Sequence, residues 1–318
     1  MDTMIEITSL SKQYSIGHKR ILNAVDDVSF SINRGEIFGL VGESGCGKST
    51  LGRLLMRLIT PTKGQVFFEG QEISAMNTRE FSQLRKSLQM VFQNPYASFN
   101  PKMRLGQALT EVGKYYGMGR SGTSNRIAEL LSLINLSEDV LSRGPRELSG
   151  GQLQRLAIAR ALMTNPAFIV ADEPVSALDV SVQAQLLNLL CDLRESIGMT
   201  MLFISHDITV IEYLCDRVGV MFYGSIVEIA ETTDLFTEAL HPYTRELIAA
   251  APSLDMGQAQ VPRSDPSNSI EILSGCRFRA RCRSSIDICA VENPPLLQVS
   301  ESHYVACHLC KIGADYKI

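Results

Sequence analysis

One short segment constrains this chain more than any other. Gly42-Glu43-Ser44-Gly45-Cys46-Gly47-Lys48-Ser49-Thr50 fits the pattern G-x-x-x-x-G-K-[ST]. The run Glu36–Val41 before it reads as a buried strand. Ser49–Ile59 after it carries Leu51, Leu54, Leu55 and Leu58 at helical spacing. Glycines let successive N–H groups turn into one concavity that attracts phosphate oxygens, and the following helix aims its N-terminus at the same place. In such a loop Lys48 reaches the β- and γ-phosphates of a nucleotide, and the Ser49 hydroxyl suits Mg²⁺.

A second element agrees with the first. Phe168-Ile169-Val170-Ala171-Asp172-Glu173 is an apolar strand that ends in two carboxylates. Beside a phosphate loop, Asp172 would bind Mg²⁺ through water, and Glu173 would polarise an attacking water. Many strands end in acids, so this pair gains its meaning only from the loop. Together they point to hydrolysis of a nucleoside triphosphate.

The rest of the chain supplies the framework. Residues 4–9 alternate like a strand, as does Val25–Ile32, with Val28, Phe30 and Ile32 on one face. Gln65–Glu69 and Thr200–Ser205 read as further strands, and Ser181–Arg194 as a helix with Leu186, Leu189, Leu190 and Leu193 inward. Strands alternating with helices predict an α/β fold with a mostly parallel sheet. Residues 95–165 show helical spacing only and read as an insertion. From residue 237 the pattern loosens, with Pro242, Pro252, Pro262, Pro266, Pro294 and Pro295, and this reads as a separate C-terminal module.

Composition narrows the function. The chain has 318 residues, enough for roughly two domains. A formal charge of −4 gives no basic field to hold nucleic acid, so no nucleic-acid partner is expected. No apolar run reaches the ~18 residues needed to span a bilayer, and Met1–Ser9 carries acids but no base, unlike a secretory signal. A membrane attachment would then go through a partner. Five of the eight cysteines, Cys276, Cys282, Cys289, Cys307 and Cys310, crowd the C-terminal end. In a reducing compartment such clustering points to metal rather than disulfides. Arg277, Arg279, Arg281 and Arg283 alternate beside them and read as a charged, solvated edge.

Leu148-Ser149-Gly150-Gly151-Gln152 resembles the signature sequence of ABC-transporter ATPases. Other segments fall in that family's order. The resemblance places Tyr14 against adenine and Gln93 between the γ-phosphate, Mg²⁺ and the helical insertion. It places Asp179, in Ser176-Ala177-Leu178-Asp179, on the loop that crosses a dimer, and His206 against the γ-phosphate. Ser149, Gly150, Gly151 and Gln152 would cap ATP held by the opposite subunit. The implied architecture is an ATP-binding core with an antiparallel N-terminal β-subdomain (1–94 and 166–236), a helical signature subdomain (95–165) and a small cysteine-containing extension (237–318).

The extension narrows the family. His241-Pro242-Tyr243-Thr244 and Gly275-Cys276-Arg277-Phe278-Arg279-Ala280-Arg281-Cys282 resemble the C-terminal extension of oligopeptide/dipeptide importer ATPases. Met90–Ser98 looks like the F-type member of their ATPase pair. The resemblance implies a D-type ATPase partner, two permease subunits, an extracytoplasmic binding protein indirectly, and a place on the cytoplasmic face of the inner membrane. Peptide is the expected cargo, with nickel or another small solute, or a non-transport ABC switch, as alternatives. Cys276, Cys282, Cys289 and Cys307 are the family-pattern thiols. The relatives imply a [4Fe–4S] cluster there, with zinc or four reduced thiols as alternatives, and His308 and Cys310 offer substitute ligands.

Overall fold

The computed structural model describes residues 2–16, 20–251 and 274–310. Two long strands, β1 (Thr3–Ile16) and β2 (Arg20–Asn33), open the chain and pair antiparallel. Val28, Phe30 and Ile32 all point inward, as the alternation predicts. β3 (Ile37–Val41) is buried throughout, because a central parallel strand has no solvent face. Helix α1 (Lys48–Leu55) leaves the phosphate loop and is shorter than its apolar spacing predicts. Arg57 takes a left-handed φ of 52°, which turns the chain and leaves Leu58 55% exposed. β4 (Lys63–Phe68) and β5 (Gln71–Glu72) complete an antiparallel sheet of order β2-β1-β4-β5.

Helix α2 (Thr78–Leu84) and strand β6 (Leu88–Val91) lead to a helical middle. It holds α3 (Leu105–Tyr115), α4 (Arg120–Leu133) and α5 (Gly150–Leu162), with no strand between residues 95 and 165. Leu105, Leu109, Ile127, Leu130, Leu131 and Leu153 share one core with the central sheet. The chain then runs β7 (Phe168–Asp172), α6 (Val180–Ile197), β8 (Thr200–Ser205), α7 (Ile208–Leu214) and β9 (Arg217–Phe222). The strands β9-β3-β8-β7-β6 are parallel neighbours, so their C-terminal ends form one rim. Ligands in open α/β sheets bind at such a rim.

The C-terminal segment is joined to the core rather than set apart. β10 (Ser225–Glu231) turns back on β9, followed by α8 (Thr232–Glu238) and α9 (Pro242–Ala249). After residue 274 come α10 (Ile288–Val291), β11 (Leu297–Gln298) and β12 (Tyr304–Val305). β12 pairs with β10 and β11 with β12, which extends the central sheet to eight strands. This pairing covers what would otherwise be an exposed sheet edge. Phe278 and Tyr243 lie in the main core, with ring centroids 5.4 and 4.5 Å from that of Phe222. The fully buried Glu228 accepts the N–H groups of Leu240 and His241 and pairs with His303 Nε2 at 2.7 Å. Pro252, Pro262 and Pro266 lie outside the described residues.

Candidate nucleotide site

β3 delivers the phosphate loop and α1 departs from it, with Gly47 as N-cap at φ 111°. A Cβ on Gly47 would lie 2.0 Å from the Ala24 carbonyl oxygen, so only glycine lets the loop pass so close to β2. A cleft of about 410 Å³ opens over the loop, lined by residues 44–50, Tyr14, Gln93 and Glu173. Tyr14 presents a ring 39% exposed, with Lys12 Nζ 5.2 Å from its centroid. Gly42 and Glu43 share the motif but do not line the cleft. Their carbonyls take the Lys48 ammonium at 2.6 and 3.0 Å, and the Glu43 N–H donates to the Tyr243 hydroxyl at 3.0 Å.

Two oxygens converge beside the loop. Ser49 Oγ donates to Asp172 Oδ1 at 2.7 Å. Asp172 is only 3% exposed, and burial pushes its carboxyl above the usual carboxylate range, against the pull of the Ser49 hydrogen bond. A hydroxyl and a buried carboxylate at the phosphate end of a cleft form a hard-oxygen donor set that fits Mg²⁺.

Glu173 follows with φ 46°, a left-handed conformation that a glutamate rarely adopts. Such strain persists where the surroundings over-determine it, which is common at functional sites. Its Oε2 accepts from Gln93 Nε2 at 2.8 Å and lies 3.3 Å from His206 Nδ1. Gln93 follows β6, Glu173 follows β7 and His206 follows β8, so one carboxylate gathers the ends of three adjacent strands.

The signature-like residues sit elsewhere. Ser149 Oγ accepts the Gln152 N–H at 3.3 Å while Gln152 Oε1 accepts the Ser149 N–H at 3.1 Å, a reciprocal cap on α5. None of Ser149, Gly150, Gly151 and Gln152 lines the cleft. A Cβ on Gly151 would lie 2.2 Å from Val182 Cγ1, so glycine also sets how closely α5 meets α6. Asp179 caps α6. The Val182 N–H and the Ser181 hydroxyl, at 2.9 and 2.8 Å, hold its carboxyl below the ordinary value.

Comparison with known proteins identifies the architecture. Residues 25–176 match the family described as ABC transporter, and residues 227–289 match that described as oligopeptide/dipeptide transporter, C-terminal region. A protein of Brucella ovis, provisionally named a peptide import ATP-binding protein, is 46% identical over 308 residues, 96% of this chain and 97% of that one. The chain belongs to the ABC transporter ATP-binding family. The oligopeptide transport ATP-binding protein AppF of Bacillus subtilis is 42% identical over 325 residues, 97% of this chain and 98% of that one. A solved ATP-binding cassette, dimeric and bound to ADP and Pi in a post-hydrolysis state, is similar with TM-score 0.66 at 30% identity, over 72% of this chain and 99% of the other. An ABC ATPase takes ATP with Mg²⁺, and the α/β core, antiparallel sheet and helical insertion of this subunit are those of such a cassette.

The cysteines depart from expectation. Cys276, Cys282, Cys289 and Cys307 come to one corner of the ABC subunit, where their thiols feel one another electrostatically. Burial, reinforced by these neighbours, pushes the Cys276 and Cys282 thiols up. A hydrogen bond with Cys310 instead holds the Cys307 thiol down. Yet among the described residues no three His, Cys, Asp or Glu side chains are arranged to hold a metal ion. The iron–sulfur and zinc expectations therefore lack support, because proximity falls short of the convergence a cluster or a tetrahedral ion requires. His308 Nε2 instead lies 3.0 Å from the Glu292 carbonyl.

The arginines beside them also depart from expectation. Arg277 bonds to the Tyr223 carbonyl and to Asp26 and lines the cleft, and Arg281 pairs with Glu43 and Glu246. Only Arg283 is freely exposed. The alternation looked like a solvated edge, and only long-range contacts reveal otherwise. Sequence reasoning also missed Asn23, Ala24, Tyr223 and Gly224, which line the cleft. They belong to strand β2 and the β9–β10 turn and carry no motif.

Proposed function

We propose that this subunit hydrolyses ATP to power import of peptides through a membrane permease. The observation that carries the reading is the Glu173 carboxylate, held between Gln93 and His206 beside a phosphate loop. Relatives named for peptide and oligopeptide transport over nearly the whole chain support the cargo.

The residues divide the work. Residues 44–50 present N–H groups to the phosphates, and the Lys48 ammonium moves from the loop's own carbonyls to the β- and γ-phosphate oxygens. The Tyr14 ring stacks on adenine. Ser49, Asp172 and Gln93 hold Mg²⁺, which when bound neutralises charge shared by the phosphates. Glu173 orients water and accepts its proton, and His206 contacts the γ-phosphate. Ser149, Gly150, Gly151 and Gln152 of one subunit, with Asp179, complete the site of the other across a head-to-tail dimer. The domain limits that fit this division are 1–94 with 166–236, 95–165 and 237–318. A D-type ATPase is the second subunit, two permeases receive the motion, and an extracytoplasmic protein delivers cargo. The complex places this chain on the cytoplasmic face of the inner membrane. None of its described helices is long and apolar enough to cross a membrane itself.

Purification of the tagged subunit from its native membranes tests the reading. Recovery of two permeases and a second ATPase, with peptide-stimulated ATP hydrolysis in liposomes, is the expected result. Recovery of soluble partners alone, or stimulation by nickel and not by peptides, would sink it.

A further inference from the structure

The turn from Cys276 to Cys282 grips the nucleotide cleft at two places. Arg281 Nη1 pairs with Glu43 Oε1 at 2.7 Å and Nη2 with Glu246 Oε2 at 3.2 Å. Its guanidinium lies 5.8 and 5.4 Å from the ring centroids of Tyr243 and Phe278, which fixes its direction. The hydroxyl of the buried Tyr243 accepts the Glu43 N–H at 3.0 Å. Both the side chain and the main chain of the second loop residue are thus held by the C-terminal segment. The Glu43 carbonyl in turn holds the Lys48 ammonium at 3.0 Å. Four residues before Arg281, Arg277 lines the cleft and ties Asp26 on β2 to the Tyr223 carbonyl after β9.

A phosphate loop works only if its N–H groups already point inward, since ordering them on binding would subtract from affinity. Glu43 does not line the cleft, but its carbonyl holds Lys48, which does. The contacts of Glu43 act on the loop's shape. We propose that Arg281 and Tyr243 are positioning residues for ATP binding, holding the phosphate loop through Glu43. The inference rests on the cleft being the ATP site. It makes the cysteine-bearing extension part of the nucleotide site rather than an appendage to it.

The test uses the full chain and direct titration with ATP and Mg²⁺, alongside thermal melting. The variants are Arg281→Met, Arg281→Lys, Glu43→Gln, Tyr243→Phe and the double Arg281→Met/Glu43→Gln. Arg281→Met keeps an apolar stem on the aromatic rings. The expected result is an ATP Kd weaker by roughly fivefold or more in Arg281→Met, in Glu43→Gln and in Tyr243→Phe, with the double variant no weaker than either of its singles. Arg281→Lys recovers part of the loss, and the KM for ATP rises more than kcat falls. Contacts that merely fasten the segment would lower the melting temperature and leave Kd within about twofold, which would overturn the proposal. Fully additive losses would overturn it too. If Arg281→Met does not fold, Arg281→Lys and Glu43→Gln carry the same comparison. A wild-type chain that binds no ATP would defeat the site assignment itself.

Discussion

Gln93 donates its side-chain amide to the Glu173 carboxylate at 2.8 Å, although the two residues lie 80 positions apart. They meet because β6 and β7 are parallel neighbours, with Val91 opposite Ala171. Glu173→Gln should retain ATP binding and lose turnover by about a hundredfold or more, the usual scale for a general base. Gln93→Ala removes one of that carboxylate's two partners, leaving His206, and should lower turnover by a smaller factor. Steady-state hydrolysis with parallel nucleotide titration checks both. Turnover in Glu173→Gln within tenfold of wild type would remove Glu173 from the chemistry.

Tyr14 offers an open ring at the cleft. Tyr14→Ala should weaken ATP binding by about 1–3 kcal/mol, the range of aromatic stacking on a base, and Tyr14→Trp should restore it. Titration with ATP and with inorganic triphosphate separates the effects. The triphosphate should bind both variants alike, and a parallel loss would show that Tyr14 shapes the loop rather than holding the base.

Burial lowers the His241 imidazole from 6.5 to about 4, against the opposing charge of Glu228. Its Nδ1 accepts the Tyr243 N–H at 3.0 Å, so the folded ring is neutral. The unfolded chain takes up a proton below about pH 6.5, which the folded chain resists until about pH 4. This contribution is therefore intact above pH 6.5 and is lost as pH falls towards 4, by about 2 kcal/mol at pH 5. His241→Asn keeps an acceptor for the helix cap and removes the titration. Its urea midpoint should drop less between about pH 7.5 and pH 5 than that of wild type. Equal drops would exclude His241 as a source of acid sensitivity.

Gly151 approaches α6 so closely that a methyl group would press on Val182. Gly151→Ala should destabilise the chain by about 1–3 kcal/mol through overpacking. Val182→Ala in the same chain should recover part of it, so that the double variant loses less than the sum of the singles. Urea denaturation of the four proteins closes the cycle. Strict additivity would show that Gly151 is glycine for a reason other than this contact.

Much of the fold was legible because its signals are local. Ile37–Val41 and Phe168–Ala171 are unbroken apolar runs, which a parallel strand buried on both faces requires. The helical spacing of Ile127, Leu130, Leu131 and Ile134 marked the insertion, and all four are buried. Leu58 misled because spacing shows which face a helix would present, not where it ends. The left-handed Arg57 turns the chain away from the helical path, so that Leu58 is exposed while Ile59 still packs against the core. Arg277 and Arg281 misled for a different reason. An arginine with partners and one in solvent look alike until the partners, Asp26 and Glu43, are brought from more than 230 positions away.

The phosphate loop, the carboxylates at the end of β7 and the capped glycines after Ser149 were set by sequence alone, because each is a local geometry that particular residue types make possible. Their assembly was decided only in three dimensions. Strand order put Gln93, Glu173 and His206 on one rim, and β12 joined β10 so that the C-terminal turn could reach Glu43. Backbone conformation follows from neighbours along the chain, whereas convergence at a site follows from which strands pair. That pairing is chosen by burial across the whole core.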